Sequence, residues 1–485
     1  MTPARRARIV CTLGPSARDD QVIERMVRAG MDVARVNMSH GSHEEHAQAI
    51  ATVRTVAERL GLPVAVLADL QGPKIRTGPL AAGPVALREG AAVTITTRPV
   101  AATAEVVGTD YRDLPRDLHP RDRLLLADGE IELRVTAVSD DAIVCRVVTG
   151  GVLRAHQGIS APGVRLSATS LTPKDLDDLR FAVEQGADLV AVSFVQSADD
   201  VLAARRALDA SRSHAWLVAK LERPGALEHL DAILEAADAV MIARGDMGVE
   251  LPPEQVPIWQ KRIIEAASAR LRPVITATQM LESMVEHPRP TRAEASDVAN
   301  SVWDGTDAVM LSEETAIGRY PVEAVAMMDR IVRAAESDPL HQHAPAEGER
   351  LNDPSLALSL GARVVVEALD GVAAIVALTR SGYTARLVSK KRPAVPVLAV
   401  TQDPAVYRQC ALLWGTWSCL CGEIRDIASV VQVAEQETVK RGMAGRDDTL
   451  VVLGHYPFNT PGRTNLLTVH RVGIADTGKH GSSDS

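Results

Sequence analysis

The feature that most constrains the fold is a short apolar run ending in polar side chains, which recurs eight times in the first two thirds of the chain. The runs are Ala7 to Leu13, Asp32 to Met38, Pro63 to Leu70, Asp188 to Val195, Ala215 to Glu222, Ala239 to Asp246, Arg272 to Gln279 and Thr306 to Ser312. Each has the length of a strand and is rich in Val, Ile, Leu and Ala, as parallel strands buried on both faces are. Most of the gaps carry a helical pattern. One runs from Thr172-Pro173-Lys174-Asp175, with a capping threonine and a first-turn proline, to Gln185-Gly186. Eight strands alternating with helices predict an α/β fold of the (β/α)8 TIM barrel type.

One gap is out of proportion, with roughly a hundred residues between the third and fourth runs, far beyond an ordinary connection. From Gly78 to about Gly158 it is rich in Val, Thr, Gly, Pro and Asp and contains alternating runs such as Ala92 to Thr96 and Ile131 to Val135. This reads as a small all-β cap domain inserted at the barrel mouth, able to close over a substrate. After Arg333 the repeat stops. A polar stretch from Ser337 to Asn352 reads as a linker. A C-terminal α/β domain follows, with strands at Ala373 to Thr379, Val395 to Thr401 and Thr449 to Gly454, and a tail from Thr477 to Ser485 expected to be disordered. The expected division is barrel 1–72, cap 73–168, barrel 169–338 and C-terminal domain 339–485.

With 485 residues, 46% of them apolar, the chain is long enough for three domains with real cores. Only 3% of residues are aromatic and the net charge is −9, so stacking platforms are scarce and the charge argues against a nucleic-acid partner, while leaving room for local basic pockets that bind phosphorylated metabolites. Five scattered cysteines (Cys11, Cys145, Cys410, Cys419 and Cys421) read as reduced thiols, the last two as strand or core residues. No run reaches the length of a membrane span, and no signal-peptide core follows Met1 to Arg6, so the expected address is the cytosol.

Active sites of this fold lie at the carboxyl ends of the strands. The chemically capable side chains gather there: Arg35, Asn37, Ser39 and His40 after the second run, and Asp69, Lys74 and Arg76 after the third. Lys220 and Glu222 close the fifth run, Arg244, Gly245 and Asp246 the sixth, Thr276, Thr278 and Gln279 the seventh. Any one of these alone is most simply a surface ion pair, but their concentration at one end of one barrel is not. Lys220 and Glu222 are two apart on a strand and point the same way. Glu222 and Asp246, on adjacent strands, can converge on one hard cation, and two carboxylates plus substrate oxygens and water suit Mg²⁺ or Mn²⁺. Arg35, Arg76 and Lys220 add positive charge around that point, as phosphoryl transfer requires. Neither a P-loop nor a Gly-x-Gly-x-x-Gly turn is present, so a nucleotide has to be held through its phosphates.

At these residues the chain resembles the pyruvate kinases along nearly its whole length. The resemblance is carried by Ala34-Arg35-Val36-Asn37-Met38-Ser39-His40-Gly41, Asp69-Leu70-Gln71-Gly72-Pro73-Lys74-Ile75-Arg76, Ala219-Lys220-Leu221-Glu222, Ala243-Arg244-Gly245-Asp246-Met247-Gly248 and Ala277-Thr278-Gln279-Met280-Leu281-Glu282. It implies glycolytic phosphoryl transfer from phosphoenolpyruvate to ADP, giving pyruvate and ATP, by a homotetramer. By carry-over, Lys220 stabilises the migrating phosphoryl group, Arg35 holds it, and Glu222 and Asp246 bind the divalent ion. Gly245, Asp246 and Thr278 receive the substrate carboxylate, and Thr278, through water, lies where a proton must reach the enolate carbon. Asn37, His40 and Arg76 lie toward the nucleotide.

The chain departs from the family pattern at several positions. The family's monovalent-cation site corresponds to Asn37, Ser39, Asp69 and the position of Leu70. Potassium-requiring members typically have threonine at that last position and glutamate where Lys74 stands. A lysine ammonium, with an ordinary pKa near 10.4, can replace the ion, so K⁺ is expected not to be required. A lysine common in the cap is replaced by Gln157, after His156, and Ser312-Glu313-Glu314-Thr315 carries an acid where the family has glycine. In the C-terminal domain, Thr379-Arg380-Ser381-Gly382-Tyr383-Thr384 joins a strand to a helix. The resemblance makes Thr379, Ser381, Gly382 and Thr384 candidates for a phosphorylated effector; the competing reading is a plain helix cap. Two rival readings are another barrel enzyme acting on enolates, which has no use for the cap, and a metabolite-sensing paralogue, which the intact Lys220, Glu222, Asp246 and Thr278 oppose.

Overall fold

The computed structural model describes residues 5–164, 166–167, 169–338, 353–458, 460 and 462–473. Eight parallel strands close a barrel: β1 (Arg8–Thr12), β2 (Val33–Asn37), β3 (Ala65–Asp69), β4 (Leu189–Val192), β5 (Trp216–Leu221), β6 (Ala239–Ala243), β7 (Val274–Ala277) and β8 (Ala308–Leu311). All eight predicted runs contain one of them. Two ends differ from expectation. β6 stops at Ala243, where Arg244–Glu250 turns into a short helix, and β7 stops at Ala277, because Thr278 and Gln279 adopt positive φ (69° and 54°). Both breaks turn backbone polar groups toward the barrel mouth.

The pleat sorts the side chains. Ile9, Cys11, Ala34, Val36, Val66 and Ala68 face the helices, whereas Val10, Val33, Leu67, Ala191, Val218 and Met241 fill the lumen. Continuing the lumen set by twos delivers Thr12, Arg35, Asn37, Asp69, Ser193, Lys220 and Glu222 to the carboxyl end of the barrel. The helices begin as the sequence indicates. Thr172 and Asp175 form a capping box ahead of Pro173–Glu184, and Ser42 and Glu45 form another ahead of His43–Leu60.

The opposite, amino-terminal end is tied by a repeated device. Asp32, Asp188, Asp238 and Asp307 immediately precede β2, β4, β6 and β8. Their carboxylates accept the backbone N–H of Ile9, Val66, Leu217 and Val274 on the neighbouring odd-numbered strands at 2.8, 2.8, 2.9 and 2.8 Å. The C-terminal domain docks on this ring. Arg408 reaches Asp188 at 2.7 Å, Arg386 lies 3.9 Å from Asp238, and Lys390 and Arg392 reach Asp307 at 2.8 and 3.0 Å. Arg8, paired with Asp32, donates to the Leu413 carbonyl at 2.8 Å. Residues of the barrel lumen and of the C-terminal sheet belong to one continuous apolar cluster.

The C-terminal sheet has the order β11-β10-β9-β12-β13, with β9 (Val372–Leu378), β10 (Val397–Thr401), β11 (Thr416–Leu420), β12 (Thr449–Gly454) and an antiparallel edge strand β13 (Leu466–Arg471). Two of these strands, β11 and β13, are not evident in the sequence; Cys419, read as a strand or core residue, lies buried in β11. The insertion forms a six-stranded sheet and a two-stranded one around its own apolar core, including Ile95, Leu124, Leu133 and Ile143. The expected tail, and the linker beyond Asp338, lie outside the described residues. Among the described residues no helix is long and apolar enough to cross a membrane.

Candidate active site

The carboxyl end of the barrel brings the predicted residues together in three layers. The deepest is a charged cluster. Asp69, 1% exposed, accepts from Arg35 Nε at 2.7 Å and lies 3.3 Å from Lys220 Nζ. Arg35 also donates to Thr12 Oγ1 at 2.9 Å. Lys220 Nζ donates to Ser193 Oγ at 2.8 Å and lies 2.9 Å from Glu222 Oε1. Burial pushes the Asp69 carboxyl up, but Lys220 and Arg35 outweigh it and hold it below the usual carboxylate range. Burial likewise disfavours the Lys220 ammonium, and the carboxylates of Asp69 and Glu222 overcome it, so the amine stays charged above its ordinary range.

Glu222 behaves differently. Burial, reinforced by the charge of Asp246, raises its pKa although Lys220 opposes. Its Oε2 accepts the Phe194 N–H at 2.9 Å, while Oε1 meets, among the described residues, only the Lys220 ammonium, at 2.9 Å. A buried carboxylate that the Lys220 ammonium neutralises on one oxygen only, and that a second carboxylate repels, fits a hard divalent cation, because the ion would remove the repulsion. Glu250 stands nearby; burial, and then Asp246 and Glu222, raise it against the pull of Arg223. Among the described residues no three His, Cys, Asp or Glu side chains converge as a closed metal cage. The open pair suits a metal that keeps water and substrate among its ligands.

The second layer is formed by the breaks after β6 and β7. Gly245 N–H donates to Thr278 Oγ1 at 2.7 Å, and Thr278 Oγ1 donates to its neighbour's carbonyl, Ala277 O, at 2.6 Å. Arg244 fixes this corner through Asp297 at 2.7 Å and the Thr278 carbonyl at 2.8 Å. Gly245, Asp246 and Thr278 therefore share one wall.

The third layer faces the cap. A small cleft of about 30 Å³ is lined by Lys74, Asp128, Gly158, Glu222, Asp246 and Glu250. Arg76 pairs with Gly158 in an isolated bridge, and its N–H donates to Asp110 at 2.8 Å. Lys74 makes no ion pair among the described residues, but its charge reaches His40. Burial first, then Arg76, Lys74 and Arg35, lowers the pKa of that imidazole, and Glu313 works in the opposite sense. Asn37 Oδ1 accepts the Ser39 N–H at 3.1 Å, closing the loop that carries His40. The Gln157 side chain turns back to accept the Arg154 N–H at 2.7 Å, within its own loop. Beside Asn37 and His40 opens a cavity of about 640 Å³, lined by Leu13, Pro15, Val36, Glu45, Ala49 and Ile317 among others. The motifs do not announce this cavity, since its residues come from three separate stretches of chain, around Pro15, from Val36 to Ala49 and at Ile317. Ser193 and Phe194 were also missed: Val-Ser-Phe-Val looks like ordinary strand.

The C-terminal loop borders a cavity of about 100 Å³, lined by Thr379, Ser381, Thr384, Gln402, His455 and Thr460 among others. Gly382, at φ 78°, is the helix N-cap, and no side chain caps the helix, which removes the plain-cap reading of Ser381 and Thr384. Thr384 Oγ1 is paired with Thr464 Oγ1 at 2.9 Å, and the buried Thr379 Oγ1 has no hydrogen-bond partner among the described residues.

Comparison with known proteins accords with this geometry. Residues 4–325 match the model of the pyruvate kinase barrel domain, and residues 357–470 that of the pyruvate kinase alpha/beta domain. The chain belongs to the pyruvate kinase family. A pyruvate kinase of Mycobacterium intracellulare is 43% identical over 98% of this chain and all of the relative, and one of Mycobacterium tuberculosis is 44% identical over 97% and 99%. A crystal structure of a pyruvate kinase from Cryptosporidium parvum superposes with a TM-score of 0.90 at 32% identity, covering 96% of each chain. As a pyruvate kinase the protein is a phosphotransferase of a generally divalent-metal-dependent family.

Proposed function

We propose that the chain transfers the phosphoryl group of phosphoenolpyruvate to ADP. The observation that carries this reading is the Arg35–Asp69–Lys220–Glu222 cluster, which gathers two cations and two buried carboxylates at the carboxyl end of the barrel. Glu222 and Asp246 would hold Mg²⁺ or Mn²⁺, which would supply charge neutralisation at the substrate oxygens. Arg35 and Lys220 neutralise the phosphoryl group as its bond to the enol oxygen breaks and a bond to the terminal ADP oxygen forms. The substrate carboxylate takes the place of Thr278 Oγ1 on the Gly245 N–H, with the Asp246 backbone beside it. The freed Thr278 hydroxyl, directly or through water, passes a proton to the methylene carbon of the enolate. Asn37, His40 and Arg76 lie along the nucleotide phosphates, and the cavity beside them has room for the nucleoside.

Lys74 supplies a fixed positive charge at the mouth of the site, which supports turnover without K⁺. The cavity at Thr379, Ser381, Gly382 and Thr384 suits a phosphorylated effector, because an anion would satisfy the Thr379 hydroxyl. The likeness to the family supports a homotetramer. A cytosolic address accords with five unpaired cysteines. Phosphorus NMR of purified protein with phosphoenolpyruvate, ADP and Mg²⁺ tests the reading: the expected result is matched loss of substrate and gain of ATP, abolished by EDTA. Release of inorganic phosphate in place of ATP would refute it.

A further inference from the structure

The residues after β4 hold both Lys220 and Glu222, and they do so in a conformation that a phenylalanine adopts only under constraint. Ser193, 2% exposed, donates its hydroxyl to the Leu70 carbonyl at 2.7 Å and accepts from Lys220 Nζ at 2.8 Å. Its lone pair is therefore aimed at the ammonium by a fixed backbone acceptor. The next residue, Phe194, has φ 56°, a left-handed conformation that is an outlier for a bulky side chain. That conformation turns the Phe194 N–H onto Glu222 Oε2 at 2.9 Å and leaves Oε1 toward Lys220, also at 2.9 Å.

Two neighbours keep Phe194 there. The Arg223 guanidinium lies 4.7 Å from the ring centroid. Gly72 lies against the turn so closely that a Cβ would stand 2.8 Å from Phe194 Cδ2 and 3.0 Å from Ser193 Cβ. Gly72 cannot retreat, since its N–H is anchored on the buried carboxylate of Asp175 at 2.9 Å. We propose that the Ser193–Phe194 turn is the positioning element of the site. Ser193 aims the Lys220 ammonium, the Phe194 N–H orients the Glu222 carboxylate, and Gly72 and Arg223 clamp the strained residue between them. The proposal rests on the roles given above to Lys220 and Glu222.

The test uses Ser193→Ala, Gly72→Ala, Phe194→Ala and the double variant Gly72→Ala/Phe194→Ala in the full chain. Readouts are kcat, KM for phosphoenolpyruvate, and Mn²⁺ affinity measured without turnover by electron paramagnetic resonance, with thermal melting as the folding control. Groups that orient ligands and catalytic side chains typically contribute about 10–100-fold. Ser193→Ala is expected to lower kcat about tenfold or more, with KM and Mn²⁺ affinity within about twofold of wild type. Gly72→Ala is expected to lower kcat and weaken Mn²⁺ binding by about tenfold each, and removing the Phe194 ring in the double variant to recover part of both. Ser193→Ala at wild-type kcat, or a double variant no better than Gly72→Ala alone in Mn²⁺ affinity, would overturn the proposal. Failure of the underlying roles looks different, because Lys220→Met would then retain activity too.

Discussion

Asp307 and Lys390 form a buried pair between barrel and C-terminal domain, and the structure predicts that removing its two members has opposite consequences. Asp307 serves three donors: the Val274 N–H at 2.8 Å, Lys390 Nζ at 2.8 Å and Arg392 at 3.0 Å. Asp307→Asn leaves two cations without their counter-charge, and breaking a buried pair from one side costs about 3–5 kcal/mol. Lys390 makes one bond and is held at a disadvantage. Burial, only partly offset by Asp307, brings its pKa from 10.5 down to about 8. At about 1.4 kcal/mol per tenfold change, that displacement is about 3 kcal/mol against the charged amine at neutral pH. Lys390→Met sheds this penalty while Arg392 and Val274 still satisfy Asp307, so it is expected to be neutral or stabilising. In a unit of this size the aspartate variant should melt about 4–8 °C lower. The pH dependence supplies a second signature. Between pH 8 and 10.5 the unfolded chain binds more protons at this lysine than the folded chain does, so its contribution makes stability rise with pH across that window. Melting temperatures of wild type and Lys390→Met, measured from pH 7 to 10, should therefore shift in favour of wild type toward the alkaline end. A flat difference, or a lysine variant that melts below the aspartate variant at pH 7, would refute the reasoning.

Other outcomes follow from the site. Activity in tetramethylammonium buffer should equal that in K⁺ within about twofold, whereas Lys74→Glu should become dependent on K⁺; a large gain for wild type on adding K⁺ would contradict the role of Lys74. Gln157→Lys frees the side chain from its bond to Arg154 and adds a charge at the cleft, so KM for ADP should fall about threefold or more with KM for phosphoenolpyruvate unchanged. Ala49→Phe narrows the cavity beside His40 and should raise KM for ADP about tenfold; an unchanged value would place the nucleoside elsewhere. Sugar phosphates and nucleoside monophosphates should be screened as activators, and any activation should be lost in Ser381→Ala/Thr384→Ala.

The barrel was legible because strands buried on both faces must be continuously apolar, and a period of two then carries Arg35, Asp69, Lys220 and Glu222 into one lumen. Alternation, a different signal, gave Ala92 to Thr96 and Ile131 to Val135 in the cap. Both signals failed where burial is mixed. β11 reads Thr-Trp-Ser-Cys-Leu and β13 is a half-exposed edge strand, so neither shows a clean pattern. The aspartates at the foot of the barrel were invisible for another reason: each is a single residue, and their shared role appears only once odd and even strands are neighbours. Backbone conformation was the least legible property. Nothing in the residue types at Phe194, Thr278 or Gln279 signals positive φ, yet those turns orient Glu222 and oppose Thr278 to Gly245.

The central claim is that Lys220, between Asp69 and Glu222, carries the transfer of phosphate to ADP. Pyruvate formation from phosphoenolpyruvate, ADP and Mg²⁺ by wild type and Lys220→Met tests it most directly. The account predicts robust wild-type turnover and a loss of about a thousandfold in kcat in the variant, with Mn²⁺ binding retained. Comparable turnover by the two proteins, or none by wild type, would contradict it.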